Sequence, residues 1–272
     1  MRAIVLAAGK GSRMLSTVPK PLHLVNGVPM TRHILKAIEE LDLESTVVVV
    51  GHQAALVCKT LIQMSSEPTR LEFAEQRVQR GTADAAKVGL QAFASSDELG
   101  VDSDVLVLPG DMPLLTSKTL IKLQAHHVKS GSAATLLTAE FKDPSGYGRI
   151  VRDQQGRIER VVEHADAGPN ELAICEVNTS IYCFNRRLLD EALQEVESSN
   201  SQNEYYLTDV VELLQVSGHL VTAVIADDPD EMRGVNDKKQ LAECEMLLTA
   251  RTNRGWHLCC VGFTNPTHLP SK

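Results

Sequence analysis

The sequence predicts a Rossmann-like α/β fold in which a doubly wound, mixed sheet carries a β-rich insertion. Short, continuous apolar runs alternate with longer segments of helical periodicity, and this alternation is typical of a doubly wound sheet. The first apolar run leads directly into a glycine-rich loop. Between about residues 141 and 181 the alternation stops, because strand patterns follow one another without a regular crossover helix. We therefore expect the insertion to cover part of the sheet and to build a ligand pocket there.

Composition limits the classes of protein to which the chain can belong. Its 272 residues are 43% hydrophobic and 23% charged, which is sufficient for a full-sized core. A formal net charge of −8 argues against a nucleic-acid-binding protein, whose surface is expected to be basic. No apolar run approaches the roughly 18 residues of a membrane span, and no signal-peptide pattern is present, so we expect a cytoplasmic protein.

The cysteines and histidines give no sign of a metal site. The six cysteines show neither C-x-x-C spacing nor a ligand pattern with histidine, so we expect reduced thiols in the core or at the surface. His126 and His127 fall within a predicted helix. We expect both to lie on its solvated face.

The first predicted strand, residues 3–6, is followed by a loop that could hold an anion. Small residues including Gly9 and Gly11 allow a sharp turn and leave amide N–H groups free. Arg13 and Lys20 add positive charge next to them. A tight turn with two solvated basic residues is the competing interpretation, and the loop alone does not decide between the two.

The loop matches neither of two common phosphate-binding motifs. Met14 occupies the position of the third glycine in a dinucleotide-binding fingerprint, and no acidic residue closes the second strand. The order of residues also differs from that of a P-loop, in which Gly-Lys is followed by Ser or Thr. The loop therefore requires another identity.

The elements after the loop alternate as a doubly wound sheet requires. Pro29 is placed where the first turn of a helix tolerates proline, and Thr82 could cap the third helix. Helices are predicted over residues 29–41, 54–64, 82–93 and 117–128, and strands over residues 47–50, 71–74, 105–108 and 133–139.

Asp111 stands just past the carboxyl end of the strand 105–108. Ligands of doubly wound sheets bind at this edge, and Mg²⁺ takes one or two protein oxygens together with substrate phosphates. A carboxylate here is thus a candidate Mg²⁺ ligand. An aspartate that only forms the turn is an equally good interpretation from position alone.

The insertion contains polar residues suited to a hydroxyl-rich ligand. Gly146 and Gly148 flank Tyr147, a spacing that exposes backbone amides. Glu163 and Asn178 can each form two hydrogen bonds to neighbouring hydroxyl groups. We expect these residues to line the pocket.

The C-terminal part continues with a helix at about residues 209–217, a strand at 221–225 and an acidic turn at 227–230. Asn236 precedes the last helix, where spacing alone favours a helix cap over a metal ligand. We divide the chain into a domain at 1–238, a linker helix at 239–251 and a tail at 252–272 without clear periodicity.

Taken together, these motifs resemble those of the sugar-1-phosphate nucleotidyltransferases. The most similar members are the uridyltransferase domains of the bifunctional N-acetylglucosamine-1-phosphate uridyltransferases. The resemblance extends over residues 1–248, and its later motifs are more specific than its first. The motifs are LAAGKGSRM, Val18-Pro19-Lys20, EQRVQRGTADA, Asp111, DPSGYGRI, VVEHADA, EVNTSI, EYYLTD and RGVND.

The resemblance implies an enzyme that transfers UMP from UTP to N-acetylglucosamine-1-phosphate with the help of Mg²⁺. The products would be pyrophosphate and UDP-N-acetylglucosamine, a peptidoglycan precursor used in cell wall biogenesis. It assigns catalysis to Arg13 and Lys20; nucleotide binding to Leu6, Ala7, Ala8, Gly9, Lys20, Gln76, Gly81 and Thr82; sugar binding to Gly148, Glu163 and Asn178; and Mg²⁺ to Asp111 and Asn236. For Asn236 it replaces the capping interpretation.

Some positions depart from the pattern of those relatives. Pro109 stands in place of an aromatic residue, Asp84 in place of a histidine and Ser180 in place of a glycine. The identities of the nucleotide and the sugar therefore stay open. Another nucleotide and sugar phosphate pair is one alternative, and a catalytically silent nucleotide-sugar-binding regulatory protein is another.

The bifunctional relatives continue into a left-handed β-helix of hexapeptide repeats that acetylates the sugar amine. These 272 residues contain no such repeat, so we expect no β-helix domain within them. Whether that domain is absent in nature or has been trimmed stays open. Without it we expect neither acetyltransferase activity nor the trimer that it organises, and the oligomeric state is not predicted.

Overall fold

The structure, a computed structural model, describes residues 1–66, 68–94 and 103–261, with the backbone alone at 94 and 254–261. The strands are β1 Arg2–Ala7, β2 Leu24–Val25, β3 Val28–Pro29, β4 Thr46–Val50, β5 Leu71–Glu75, β6 Asp104–Pro109, β7 Ala134–Glu140, β8 Arg149–Arg152, β9 Ile158–Val162, β10 Glu176–Asn185 and β11 Val221–Ile225. The helices are α1 Met30–Glu39, α2 Ala54–Met64, α3 Thr82–Ala94, α4 Ser117–Ser130, α5 Pro169–Leu172, α6 Arg186–Leu193, α7 Asp209–Val216 and α8 Lys238–Val261.

One nine-stranded sheet organises the described residues, and its main path has the order β11-β7-β10-β6-β1-β4-β5. Strands β6, β1, β4 and β5 run parallel, whereas β10 is antiparallel to both β6 and β7. Strand β8 pairs with β10 and with β9. The sheet is therefore mixed, as predicted, and the β-rich insertion grows from the antiparallel strand.

Burial on both faces of the sheet explains why the sequences of the parallel strands are continuous apolar runs. Strand β4 is buried along its whole length, and only one residue of β1 is partly exposed, because helices cover both faces of the sheet. Helix α1 packs one stripe, which includes Ile34, Ala37 and Ile38, against one of these faces. The carboxyl ends of β1 and β6 consequently meet at one edge, where Gly110 N–H donates to Leu6 O over 2.9 Å.

Strand β10 contains an irregularity in its pairing with β7. Asn178 faces Thr138 and Ile181 faces Leu137, so that residues 179 and 180 are left out of the strand pairing with β7, although the Thr179 hydroxyl donates to Leu137 O over 2.7 Å. Ser180 adopts the left-handed conformation with φ of 60°, which is uncommon for a residue other than glycine. Such bulges redirect side chains and are common beside active sites.

The expectation of a solvated position is wrong for His127. Its side chain is 2% exposed, and its Nδ1 lies 2.8 Å from Thr135 Oγ1. The other ring nitrogen lies 3.4 Å from Asp104 Oδ1. The imidazole thus joins α4 to the ends of β6 and β7 as a hydrogen-bonded core residue, because a buried polar group must find partners.

Two further expectations differ from the structure. The Thr82 hydroxyl accepts a hydrogen bond from Leu207 N–H over 2.9 Å, so it joins α3 to the segment before α7. Helix α6 was not predicted, although the Asn185 side chain caps it by accepting from Leu188 N–H.

Helix α8 covers the predicted linker 239–251 and continues to Val261, so the first part of the predicted tail is helical. Residues 262–272 lie outside the described residues. The division of the chain into a domain, a linker and a tail stays a prediction. Among the helices of the described residues, none combines the length and the apolar character that crossing a membrane requires.

Four cysteines are described with their side chains, and all four are free: Cys58, Cys175, Cys183 and Cys244. Cys183 and Cys244 are buried, and Cys175 is exposed. This agrees with the predicted reduced thiols at these positions. The side chains of Cys259 and Cys260 lie outside the description.

Candidate active site

A cleft of about 870 Å³ opens at the carboxyl ends of the parallel strands and is closed on its other side by the insertion. Every residue that the sequence predicted for the site lines this cleft. Its size lies in the range of small-molecule sites. We call the part around Arg13, Lys20, Asp111 and Asn236 the basic end, and the part around Gly148, Glu163, Asn178 and Thr208 the acidic end.

The glycine-rich loop is shaped by close packing at Gly11. This residue adopts φ of 63°, a conformation that favours glycine. A Cβ atom there would lie 2.6 Å from Lys20 Cβ. The loop then forms a short 3-10 turn over Ser12–Met14. Gly11 thus lets the loop pass directly over the stem of Lys20.

The basic end is a cluster of two cations and two oxygen-bearing side chains. Lys20 Nζ lies 2.5 Å from Asp111 Oδ2 and 2.9 Å from Asn236 Oδ1. Arg13 Nη2 lies 3.1 Å from the same Asn236 oxygen. The fold thereby joins residues that are up to 223 positions apart in sequence.

Asn236 does not cap the last helix. The Asp237 side chain accepts from Gln240 N–H over 2.8 Å and thus fills the capping role. Gln240 Oε1 in turn accepts from Asn236 N–H over 2.7 Å. The Asn236 amide oxygen is therefore free to point into the basic end, where it accepts from both cations.

The oxygens of Asp111 and Asn236 fit a magnesium ion. A carboxylate and an amide oxygen already share one ammonium group, so the pair is arranged around a cation. The described residues contain no group of three histidine, cysteine or acidic side chains that could hold a metal alone. Two protein oxygens suit Mg²⁺, because this ion keeps waters and takes substrate phosphates as its remaining ligands.

Gln76 forms the wall of the cleft next to the start of α3. Its main-chain N–H donates to Val50 O over 2.8 Å, and its Nε2 donates to Gly81 O over 3.1 Å. Gly81 has φ of 122°, and a Cβ atom there would clash with the Tyr205 backbone. Both constraints require glycine at this position.

The acidic end contains an unsatisfied buried acceptor. Asn178 is 3% exposed, and its Nδ2 donates to Tyr182 OH over 2.7 Å. Its Oδ1 is buried without a hydrogen-bond partner among the described residues. Since an unpaired buried acceptor is costly, this oxygen is placed to receive a hydrogen bond from a ligand.

Glu163 lies beside Asn178 in the wall of the cleft. Its Oε1 accepts from Thr208 Oγ1 over 3.2 Å. A Cβ atom on Gly148 would lie 3.4 Å from Glu163 Oε2, and Gly148 O accepts from Asn178 N–H over 2.9 Å. The three predicted sugar-binding residues therefore lie in one part of the cleft, with Gly148 hydrogen-bonded to Asn178 and next to Glu163.

The environment of the acidic end raises the pKa values of two carboxyl groups, those of Glu163 and Asp209. Burial raises the pKa of Glu163. Burial, together with the negative charge of Glu163, raises the pKa of Asp209 to about 6. Both shifts have the direction expected when carboxyl groups lose water and face one another. Carboxylates here are thus less completely solvated than those at the surface.

The sequence profile of the nucleotidyl transferase family matches residues 2–256 of the chain. The chain belongs to this family. It is 43% identical over 254 residues to the bifunctional protein GlmU of Shouchella clausii, which covers 93% of the chain and 54% of that protein. The GlmU protein of Bacillus cereus is also 43% identical, over 252 residues. The chain therefore spans about half the length of the curated relatives it matches.

A solved structure supports the family fold. The crystal structure of a Bacillus anthracis protein, described as a glucose-1-phosphate thymidylyltransferase in complex with sucrose, superimposes with a TM-score of 0.70. The match covers 90% of this nucleotidyl transferase chain and 94% of the other, with 18% sequence identity. At that identity the likeness establishes the fold, which is the predicted one, and nothing finer.

Sequence reasoning missed several residues that shape the site of this nucleotidyl transferase. Tyr182 holds the amide of Asn178, Thr208 binds Glu163 and Gln240 fixes Asn236. Thr208 lies in the EYYLTD motif, which was a usable signal. Tyr182 and Gln240 gave none, because the β10 bulge and the turn before α8 decide where they point.

Proposed function

We propose that this chain transfers UMP from UTP to N-acetylglucosamine-1-phosphate and releases pyrophosphate. One observation carries the proposal: a single cleft joins a cationic cluster at one end to an unpartnered buried Asn178 oxygen and Glu163 at the other. The first suits phosphates, and the second suits sugar hydroxyl or amide groups. The similarity to GlmU over 93% of the chain supports this substrate pair.

At the basic end, the reaction needs positioning and charge more than proton transfer. A sugar phosphate is already anionic near neutral pH, so its oxygen can attack the α-phosphorus of the nucleotide in line without a general base. We assign Arg13 and Lys20 to hold the α-phosphate and the departing pyrophosphate, because fixed positive charge stabilises the transition state.

We infer that Asp111 and Asn236 hold the Mg²⁺ ion. The ion supplies charge neutralisation and orientation of phosphate oxygens. Lys20 Nζ now lies between these two oxygens. The flexible stem of lysine allows its ammonium group to leave them and to contact a phosphate instead. In the arrangement that the structure shows, Lys20 therefore provides a hydrogen-bond partner to both oxygens.

At the other parts of the cleft, the backbone of the loop residues Leu6, Ala7, Ala8 and Gly9 would contact the nucleotide, and Gln76, Gly81 and Thr82 would surround its base and ribose. Asn178 Oδ1 would accept from a group on the sugar. Glu163 would bind a hydroxyl pair, and Gly148 leaves room for the ring, because a Cβ atom there would lie 3.2 Å from Val161 Cγ1 and 3.4 Å from Glu163 Oε2. A cytoplasmic location stays a prediction.

A different nucleotide and sugar phosphate pair is the second candidate, because the contact partner of Gln76 departs from the resembled relatives. The carboxylate of Asp84 lies 2.7 Å from Gln76 Nε2, where the resembled relatives carry a histidine. The base pocket therefore differs in its hydrogen bonding. A silent binding protein is less well supported, because the basic end retains both cations and both oxygen ligands.

Pyrophosphate release with Mg²⁺ tests the proposal across a matrix of nucleoside triphosphates and sugar-1-phosphates. We expect turnover with UTP and N-acetylglucosamine-1-phosphate to exceed that of every other pair. A different preferred pair would select the second candidate. No pyrophosphate from any pair would contradict both, and it would favour a binding protein.

A further inference from the structure

The side-chain amide of Gln76 is held in one orientation by two acceptors. Its Nε2 donates to Gly81 O over 3.1 Å and to Asp84 Oδ2 over 2.7 Å. A backbone carbonyl and an ionised carboxylate can only accept. The group that lies between them must therefore be the NH₂ group, and both of its hydrogens are engaged.

We propose that Asp84 is a positioning residue that fixes the Gln76 amide with its oxygen toward the cleft, so that the site selects a base with an N–H group on its pairing edge. This inference rests on the proposed function, because it takes Gln76 as a residue that contacts the base. It adds a determinant of base preference at a position where the resembled relatives carry a different residue.

The backbone of Gln76 is as firmly held as its amide. Gln76 is 4% exposed, and its N–H donates to Val50 O at the end of β4. Its carbonyl accepts from Gln79 Nε2 over 3.3 Å. The side chain therefore reaches the cleft from a rigid strand end. Among the described residues, Gln76 Oε1 has no hydrogen-bond partner. It is also not one of the unpaired side-chain atoms that are completely buried.

Asp84 contacts the Gln76 side chain but does not line the cleft itself. It belongs to the first turn of α3, whereas the cleft is lined there by Gln76, Gly81, Thr82 and Ala85. Asp84 is thus absent from the lining and can influence a base only through the amide that it holds. Rotating the amide by half a turn would place its oxygen against two acceptors and would remove the donor that each of them receives from Gln76.

The fixed oxygen distinguishes between pyrimidine bases. Uracil carries a hydrogen on N3, between its two carbonyl groups, whereas N3 of cytosine carries a lone pair. Gln76 Oε1 accepts a hydrogen bond from the first and repels the second. A site that is built for one hydrogen-bonding pattern discriminates against an analogue that lacks it. The orientation of one amide is therefore sufficient to favour UTP over CTP.

Equilibrium binding of UTP and of CTP, each with Mg²⁺ and without sugar phosphate, tests the inference. We expect the wild type to bind UTP more tightly. Asp84→Ala should lower the ratio of the two affinities at least about tenfold, the scale of one hydrogen bond, because the amide can then rotate. Asp84→Asn should keep most of the ratio, since its carbonyl oxygen can still accept from Gln76.

Two further variants complete the comparison. Gln76→Ala should lower the ratio as far as Asp84→Ala does. Lys87→Ala serves as the matched control, because Lys87 lies one turn further along α3 and donates to the exposed Gln194; its ratio should equal that of the wild type. Thermal denaturation of each variant confirms that it is folded, and an affinity ratio compares two ligands on the same folded protein.

The outcomes separate this inference from the proposed function. An unchanged ratio in Asp84→Ala, or equal binding of UTP and CTP by the wild type, would overturn the inference. An unchanged ratio in Gln76→Ala would do the same. If the wild type prefers UTP through Asp84 but releases no pyrophosphate from UTP and N-acetylglucosamine-1-phosphate, the proposed function fails and the positioning role of Asp84 stands.

Discussion

The two ends of the cleft are built in different ways. The basic end lies on loops that follow the parallel strands β1 and β6, which place Arg13, Lys20 and Asp111 next to one another. The acidic end lies on the antiparallel insertion, where β9, β10 and the β10 bulge bring Glu163 beside Asn178. One end carries two cationic side chains, Arg13 and Lys20. The other end holds carboxyl groups with raised pKa values.

This difference corresponds to two modes of recognition. Phosphates carry full charges, so the basic end stabilises them by fixed positive charge, whose contribution is largest where the transition state gains negative charge. Sugar hydroxyls are neutral, so the acidic end binds them by hydrogen bonds whose strength depends on burial. Substitutions at the basic end should therefore reduce turnover, and substitutions at the acidic end should reduce affinity for the sugar phosphate.

The largest effect is expected at the basic end. Lys20→Ala should lower turnover at least about 10²-fold, the scale seen when one electrostatic donor is lost. Steady-state pyrophosphate release measures it. Lys36→Ala removes the same charge from the exposed surface of α1 and should leave turnover unchanged. Near-normal turnover of Lys20→Ala would remove Lys20 from the catalytic assignment.

A smaller and different effect is expected at the acidic end. Glu163→Gln keeps the shape but weakens the acceptor, so the KM for N-acetylglucosamine-1-phosphate should rise about tenfold, as for one hydrogen bond to a charged group. The KM for UTP should not change. Glu159→Gln, an exposed position on the same strand β9, is the control. An equal rise of both KM values would contradict the separation of the two ends.

The two ends also differ in how far the sequence predicts them. The parallel strands are continuous apolar runs that are buried on both faces, so their carboxyl ends, and with them Asp111, could be located from the pattern alone. At the acidic end, the bulge after Asn178 interrupts the two-residue period. The partner role of Tyr182 therefore could not be predicted, since it depends on the bulge and not on spacing.

Other features that spacing alone does not decide have equally local causes. Asn236 and Asp237 are both suitable helix caps, and only the structure shows that Asp237 fills the role. His127 is buried because α4 presents it to the ends of two strands. A helical pattern of polar residues does not contain that information. The assignment of Arg13, Glu163 and Asn236 to individual roles came from the family resemblance, and those roles stay predictions until they are measured.

The smallest effect concerns stability and tests whether the acidic end is electrostatically strained. The pKa of Asp209 is raised to about 6 in the folded state, whereas an unfolded aspartate titrates near ~3.9. Between about pH 4 and 6 the folded state therefore binds more protons than the unfolded state, so stability falls as pH rises through this window. Above it, the ionised Asp209 destabilises the fold in full.

Removing the charge of Asp209 should therefore stabilise the protein, but only at pH values at which Asp209 is ionised. Asp209→Asn should raise Tm at pH 7.5 by about 2–4 °C, the shift given by roughly 1 kcal/mol in a chain of this size, and should leave Tm nearly unchanged at pH 4.5. Glu212→Gln is the comparison, because Glu212 carries the same charge in the first turn of the same helix α7 but is exposed, and it raises the pKa of Asp209 less than Glu163 does; it should therefore raise Tm less. If both variants shift Tm equally at pH 7.5, the effect belongs to the helix terminus and not to the pairing of Asp209 with Glu163, and the acidic end would then bind its sugar without stored charge repulsion.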